Sequence, residues 1–322
     1  MATGCLARLA LTSGSSPRRH PRSPTIATVT GFTERTSEPP RLHVRARVAE
    51  LWLYREILAN LVRKELKVKY TASVLGAVWS LLNPLVFMAV FSFVVRVLGP
   101  TMVNLPVFLL CGLLAWNLFS ISLSGGAQSV LANANLVKKV YFPREILPLA
   151  TVGVALVDFA LQSGVFFVVL LVSGYGFELD LLWLYPLAVV ALLLLTVAVT
   201  FWVSSMNVRY RDLQHLIGLA LLVWFWMTPI VYSPWLVRSN LMEMGGEGTL
   251  LWRLYLLNPV AWIVFGFQGA LYHSSDVGTV LAPISTGWLA GGLGIVFAAS
   301  TLLLYLTWRT FFALSGDFAE EL

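Results

Sequence analysis

Charge is what this sequence has least of. Asp, Glu, Lys and Arg make up 12% of its 322 residues, against about 25% in soluble domains. That shortage excludes an ordinary water-soluble globule. With 58% hydrophobic residues and a mean hydropathy of +0.78, the chain reads as an all-α integral membrane protein, the helix being the way to satisfy every backbone group in lipid. Cysteine is nearly missing: Cys5 lies in a polar tail and Cys111 in an apolar run, so no disulfide framework is expected. No G-x-x-x-x-G-K-[ST] phosphate loop occurs, and the chain should not hydrolyse ATP by itself. H-E-x-x-H and zinc-type Cys/His spacings are missing, and His20, His43, His215 and His273 are scattered, so neither a catalytic nor a metal site is expected. A signal peptide is not expected either, because the apolar core from Cys5 to Leu11 is too short.

The charge that remains is unevenly placed. The net charge is +6, and 13 of the 22 Lys and Arg precede Tyr70, which suits an anionic membrane surface better than nucleic acid. Residues 1–45 are rich in Ser, Thr, Pro and Arg without an apolar period and read as a disordered tail. Over 46–73 the pattern becomes a basic amphipathic helix. Val48, Leu51, Trp52, Leu58, Leu61 and Val62 recur at helical spacing, while Arg55, Arg63, Lys64, Lys67 and Lys69 supply the cations. A helix of that kind lies in a membrane interface.

Residues 74–310 read as the transmembrane domain, because crossing needs about 20 mostly apolar residues. Spans are expected near 74–95, 105–131, 147–173, 181–205, 216–232 and 288–308. The second ends in Ser124-Gly125-Gly126, small residues that let backbones approach closely. The stretch 254–272 is broken by Asn258-Pro259 and reads as two short pieces, since proline inside a helix costs about 3 kcal/mol. Residues 311–322 form a short tail with an acidic end. Lys and Arg placement puts the N-terminus inside. Six spans would place the C-terminus inside as well, and seven would place it outside.

Between the second and third spans, Ala132–Pro148 holds the mid-chain cluster of cations: Lys138, Lys139 and Arg144. A short helix is predicted from Ala134 to Tyr141, capped by Asn133 or Asn135 and ended by Pro143, which pushes its predecessor out of the helical region. Two readings stand: a cytoplasmic loop obeying the positive-inside rule, or a docking helix for a soluble partner. The second draws on Leu136, Val137, Val140, Tyr141 and Phe142, more apolar surface than a solvated loop needs. Asp158 is the one acid at mid-membrane depth, with Gln162 one turn on. An intramembrane carboxylate suggests proton coupling in a secondary transporter, but the further acids of a proton path are missing, so a structural hydrogen bond to a neighbouring span is expected. Aromatics are abundant, 12 Trp, 19 Phe and 10 Tyr. Belt and core packing account for most, and a few suit the lining of a sugar path, with Trp79, Trp224, Trp226 and Tyr232 the candidates.

Three stretches carry a family resemblance: R-K-E-L-K-V-K-Y-T-A-S-V-L-G-A-V-W-S-L-L-N-P at 63–84, N-L-V-K-K-V-Y-F-P-R-E-I-L-P at 135–148, and R-Y-R-D-L at 209–213, with L-N-P at 257–259 in support. In these the chain, from about residue 46 onward, resembles permease subunits of type-2 ABC exporters, in the branch exporting polysaccharide, teichoic acid and O-antigen. The resemblance implies six spans per subunit, an N-terminal interface helix, short outward gate helices, both termini cytoplasmic, and a homodimer in the cytoplasmic membrane. It implies a separate ATPase subunit, carrying ATP and Mg, docked at Leu136, Lys138, Lys139, Tyr141, Phe142 and Arg144. It also implies a polyprenyl-diphosphate-linked glycan as cargo, whose diphosphate Arg63, Lys64, Lys67 and Lys69 would attract, although anchoring to membrane lipid explains these cations equally. Phe142→Asp combined with Lys139→Glu is expected to uncouple export while leaving the dimer folded. Two other readings are an exporter of lipid or drug, and a polyprenyl-phosphate membrane transferase, for which the clustered acids or histidines are missing.

Overall fold

The computed structural model describes residues 44–71, 76, 78–98, 104–172, 179–272 and 285–322. The expected tail before Val44 and the stretches 99–103 and 173–178 lie outside the described residues. Among those described, every regular element is helical.

The described residues open with α1 (Val44–Leu53) and α2 (Arg55–Thr71), the basic amphipathic segment, and continue into α3 (Val78–Leu98) and α4 (Leu105–Ala132). A one-turn-and-a-half helix α5 (Ala134–Lys139) leads to α6 (Ile146–Val172). Then come α7 (Leu184–Arg209), α8 (Leu213–Trp226), α9 (Pro234–Glu243), α10 (Gly246–Tyr255), α11 (Pro259–Leu271), α12 (Thr286–Leu314) and a terminal turn α13 (Phe318–Glu321). By length and apolarity α4, α6, α7 and α12 can each cross a bilayer, and α10 with α11 makes a fifth candidate that is bent by 81°. The apolar parts of α3 (Val78–Val94) and α8 are shorter.

The bundle centres on α4 and α7. Gly126 of α4 sits where a Cβ would lie 2.2 Å from Cγ2 of Thr200 on α7, so the small pair noted in the sequence does bring two backbones together. The main core gathers Phe108, Phe119, Leu192, Phe265 and Phe267 from α4, α7 and α11. A second core sits at the basic end of the bundle, where Val130, Val137, Phe142, Phe201, Trp308, Phe311 and Phe318 meet.

Two expected boundaries move. The helix predicted over 216–232 ends at Trp226, because Pro229 lacks an N–H and forces Thr228 out of helical geometry. Asn258 then joins the broken pieces: its Nδ2 donates to the Met227 carbonyl at 3.2 Å, and its Oδ1 accepts from Val260 N at 3.0 Å, capping α11. The short basic helix stops at Lys139, with Val140 already extended. Asn133 stands at its N-cap position but makes no side-chain cap there; its Nδ2 reaches back to the Ser129 carbonyl at 2.9 Å and closes α4 instead.

The amphipathic segment leans along α6. Arg47 meets Glu145, Val62 fills the space beside Gly153 and Lys69 meets Asp158. At 1.5 Å rise per residue, Lys69 thereby reaches about 18 Å along α6 from its start.

Candidate functional site: a docking element, a polar tie and an aromatic cavity

The basic element between α4 and α6 divides into an inward and an outward face. Val137 and Phe142 are buried, Phe142 at 5% exposure, and Leu136 packs against the same second core. Lys138, Lys139 and Val140 are exposed, and Tyr141 stands out at 86% exposure. Arg144 turns inward, donating to the Ser315 carbonyl and lying over the Phe318 ring at 5.9 Å. Burial lowers the Arg144 guanidinium below its usual value, opposed by the charges of Glu145 and Tyr141. Of the six expected docking residues, then, Lys138, Lys139 and Tyr141 face out, while Phe142 and Arg144 hold the element down. Phe142→Asp, expected to leave the dimer folded, would instead strand a carboxylate in an apolar core.

What fastens the element is Glu145, which composition and periodicity did not single out. Its carboxylate is fully buried and takes two charge-assisted hydrogen bonds from Arg47, from Nε and Nη2, both at 2.8 Å. Trp308 Nε1 donates a further bond at 3.3 Å. Burial weakens the Arg47 charge, but the Glu145 bonds and the Glu145 and Glu50 charges outweigh it and raise its pKa above the ordinary value. One carboxylate thus joins α1, the start of α6 and α12.

A second polar tie lies higher on α6. Asp158 is 1% exposed and binds Lys69 Nζ at 2.5 Å, the Tyr70 hydroxyl and Ser80 Oγ at 3.1 Å. The Tyr70 hydroxyl also contacts Ser80 Oγ at 2.7 Å. Burial and the bond to Asp158 raise the Tyr70 pKa, with Ser80 opposing. The expected structural hydrogen bond of Asp158 is present, and its ionic partner is the last lysine of α2 rather than another span. Gln162 extends the chain, donating to the Ser80 carbonyl at 3.1 Å and accepting from Asn117 at 3.2 Å. Lys69, exposed like Arg63, Lys64 and Lys67, is therefore already engaged by Asp158.

Asn117 opens onto a cavity of about 420 Å³ between α3, α4 and α8. Five rings line it, Phe87, Phe91, Trp116, Phe225 and Trp226, together with Asn83, Asn117 and Ser120. The rings brace one another: Trp116 meets Phe225 at 5.5 Å, and Phe91 meets Trp226 at 6.3 Å. On the other flank of α3 a cavity of about 190 Å³ is apolar apart from Gln162. Of the four expected lining residues, Trp226 borders the larger cavity. Trp224 turns away, with Nε1 on Asn258 Oδ1 at 2.9 Å and its ring on Phe119 at 5.1 Å. Tyr232 closes onto the Trp226 carbonyl at 2.9 Å, and Trp79 is exposed on α3 outside both cavity linings. Among the described residues no group of three His, Cys, Asp or Glu is placed to hold a metal ion.

Apolar helices of spanning length, a basic element fastened at one end and an aromatic cavity within define a multi-pass membrane protein. The chain belongs to the ABC-2 type transporter family, whose profile matches residues 57–272. It is similar to the O-antigen export system permease protein RfbA of Myxococcus xanthus, 34% identical over 233 residues that cover 70% of this chain and 84% of that protein. Two proteins of the same name from Klebsiella pneumoniae are each 30% identical over 235 residues, covering 70% of this chain and 89% of theirs.

Proposed function

We propose that this chain is the membrane subunit of an ATP-driven exporter that moves a lipid-linked polysaccharide outward across the cytoplasmic membrane. The observation that carries this reading is the 134–145 element. It offers Lys138, Lys139, Val140 and Tyr141 to a partner while Glu145, Phe142 and Arg144 bind it to the bundle. A patch so fixed transmits force instead of yielding to it. ATP and Mg belong to a separate nucleotide-binding subunit that docks on this patch.

The glycan cargo is drawn from the relatives' printed role in O-antigen export. The larger cavity supports it, since flat rings beside amide and hydroxyl groups suit sugars passing in single file. In this reading α3, α4, α6, α7, α8 and α12 are the six spans, and the bent α10–α11 pair is an outward gate. Both termini are cytoplasmic, and two copies of the chain enclose the path. At the Asn258 joint the freed backbone groups find partners in the Asn258 side chain, through the Met227 carbonyl and Val260 N. Arg63, Lys64 and Lys67 supply the positive face for the lipid diphosphate and for anionic lipid; Lys69 belongs to the tie with Asp158.

The test is affinity capture of the native chain from its own membranes, followed by assay of glycan export in vesicles. Recovery of a bound nucleotide-binding subunit, with export that stops when nucleotide is withdrawn, is expected. Capture without such a subunit, or export unaffected by nucleotide, would overturn the reading.

A further inference from the structure

We propose that the last residues of the chain, 315–322, act as a clasp that joins the docking element to the turn between α7 and α8, so that a push on α5 is delivered to α8. The inference rests on the export reading above for its purpose, but the clasp itself is visible in the contacts. On one side, Arg144 holds the Ser315 carbonyl, and Phe318, 1% exposed, is buried with Val137 and Phe142. Its ring meets Phe311 edge-on at 5.4 Å. On the other side Arg209, the last residue of α7, pairs with Glu321 at 3.0 Å and with Asp317 at 3.6 Å. Arg211 reaches the Glu321 carbonyl at 3.5 Å.

The two sides are held by different means: Asp317 and Glu321 neutralise Arg209, while Arg144 is held by the Ser315 carbonyl and the Phe318 ring. A second connection converges on the same turn. Asn207, fully buried, donates to the Ala127 carbonyl of α4 at 2.8 Å and accepts from Gln214 N of α8 at 3.1 Å. From Leu213 onward α8 carries Leu221, Leu222, Phe225 and Trp226, one wall of the larger cavity. Displacement of α5 therefore reaches that wall through the chain's own end, without passing through α6. The R-Y-R-D-L stretch gains a role in this arrangement: its two arginines are the receiving half of the clasp.

The experiment uses the full chain with its nucleotide-binding subunit and three variants: Arg209→Glu, Phe318→Ala, and the swap Arg209→Glu with Glu321→Arg. Hydrogen exchange in the first turn of α8, residues 213–217, is read in the chain without the subunit. Nucleotide-dependent labelling of a Leu222→Cys reporter is read in the complex. Arg209→Glu and Phe318→Ala are expected to speed exchange in that turn by about tenfold, as local opening becomes easier. They should cut the nucleotide-dependent labelling change while the subunit stays bound, and the swap should restore both. Unchanged exchange in Arg209→Glu and Phe318→Ala, or a swap that restores nothing, overturns the clasp whatever the subunit does. Loss of the subunit from the unaltered chain would instead count against the export reading, and the exchange arm would still decide the clasp.

Discussion

Replacing Arg47 with methionine strands the Glu145 carboxylate. That group is fully buried, and with the guanidinium gone it keeps only the Trp308 N–H at 3.3 Å. Breaking a buried pair from one side costs about 3–5 kcal/mol, because the remaining charge has neither water nor partner. The opposite change should cost less. In Glu145→Met the guanidinium still has Glu50, partial access to solvent and the Phe312 ring at 4.7 Å. Removing both charges in favour of methionine should recover most of the loss, since apolar side chains of similar size often replace a buried pair at little cost. The cycle is measured by equilibrium unfolding in mixed detergent micelles, followed by tryptophan fluorescence, with a coupling of about 2 kcal/mol or more expected between the two positions. A cost below about 1 kcal/mol for Arg47→Met, or a double variant whose loss equals the sum of the singles, would refute the view that this pair fastens the docking element.

Other consequences follow from the same contacts. Asp158→Asn keeps an acceptor for Tyr70 and Ser80 but loses the attraction of Lys69, so it should be destabilised less than Asp158→Ala in thermal unfolding; equal losses would show that the hydroxyl bonds contribute nothing. Gly126→Val must push Thr200 away, and overpacking of that kind costs about 1–3 kcal/mol, whereas Gly125→Ala meets Thr151 at an ordinary 3.4 Å and should be neutral. Trp226→Ala removes a cavity wall and should reduce export at normal protein abundance. Trp224→Ala, which empties a packed site on Phe119 and frees Asn258, should lower abundance instead; identical behaviour of the two would contradict the assignment of cavity and core.

Much of this was legible in the sequence for a physical reason. Long apolar runs need helices in lipid, so the ends of α4, α6, α7 and α12 fall within six residues of those expected. Asn258-Pro259 announced a break, and the chain bends by 81° there. Periodicity could not show direction, however. It marked Phe142, Arg144 and Tyr141 alike as part of one basic element, and only packing separates Tyr141, which faces out, from Phe142 and Arg144, which face in. Long-range pairs were beyond it as well. Arg47 with Glu145 spans 98 residues and Lys69 with Asp158 spans 89, and no local pattern links such positions. Asp158 did stand out, because a lone acid in an apolar run is costly; Glu145 did not, because it directly follows the cations Lys138, Lys139 and Arg144.

The central claim is that the outward face of the 134–145 element receives a nucleotide-driven subunit. It is tested most directly by binding that subunit, in the presence of nucleotide, to the reconstituted chain and to a variant carrying Lys138→Glu, Lys139→Glu and Tyr141→Asp, all at exposed positions. The expected result is a variant with unaltered unfolding that has lost both subunit binding and glycan export. A variant that binds and exports like the unaltered chain would contradict the claim.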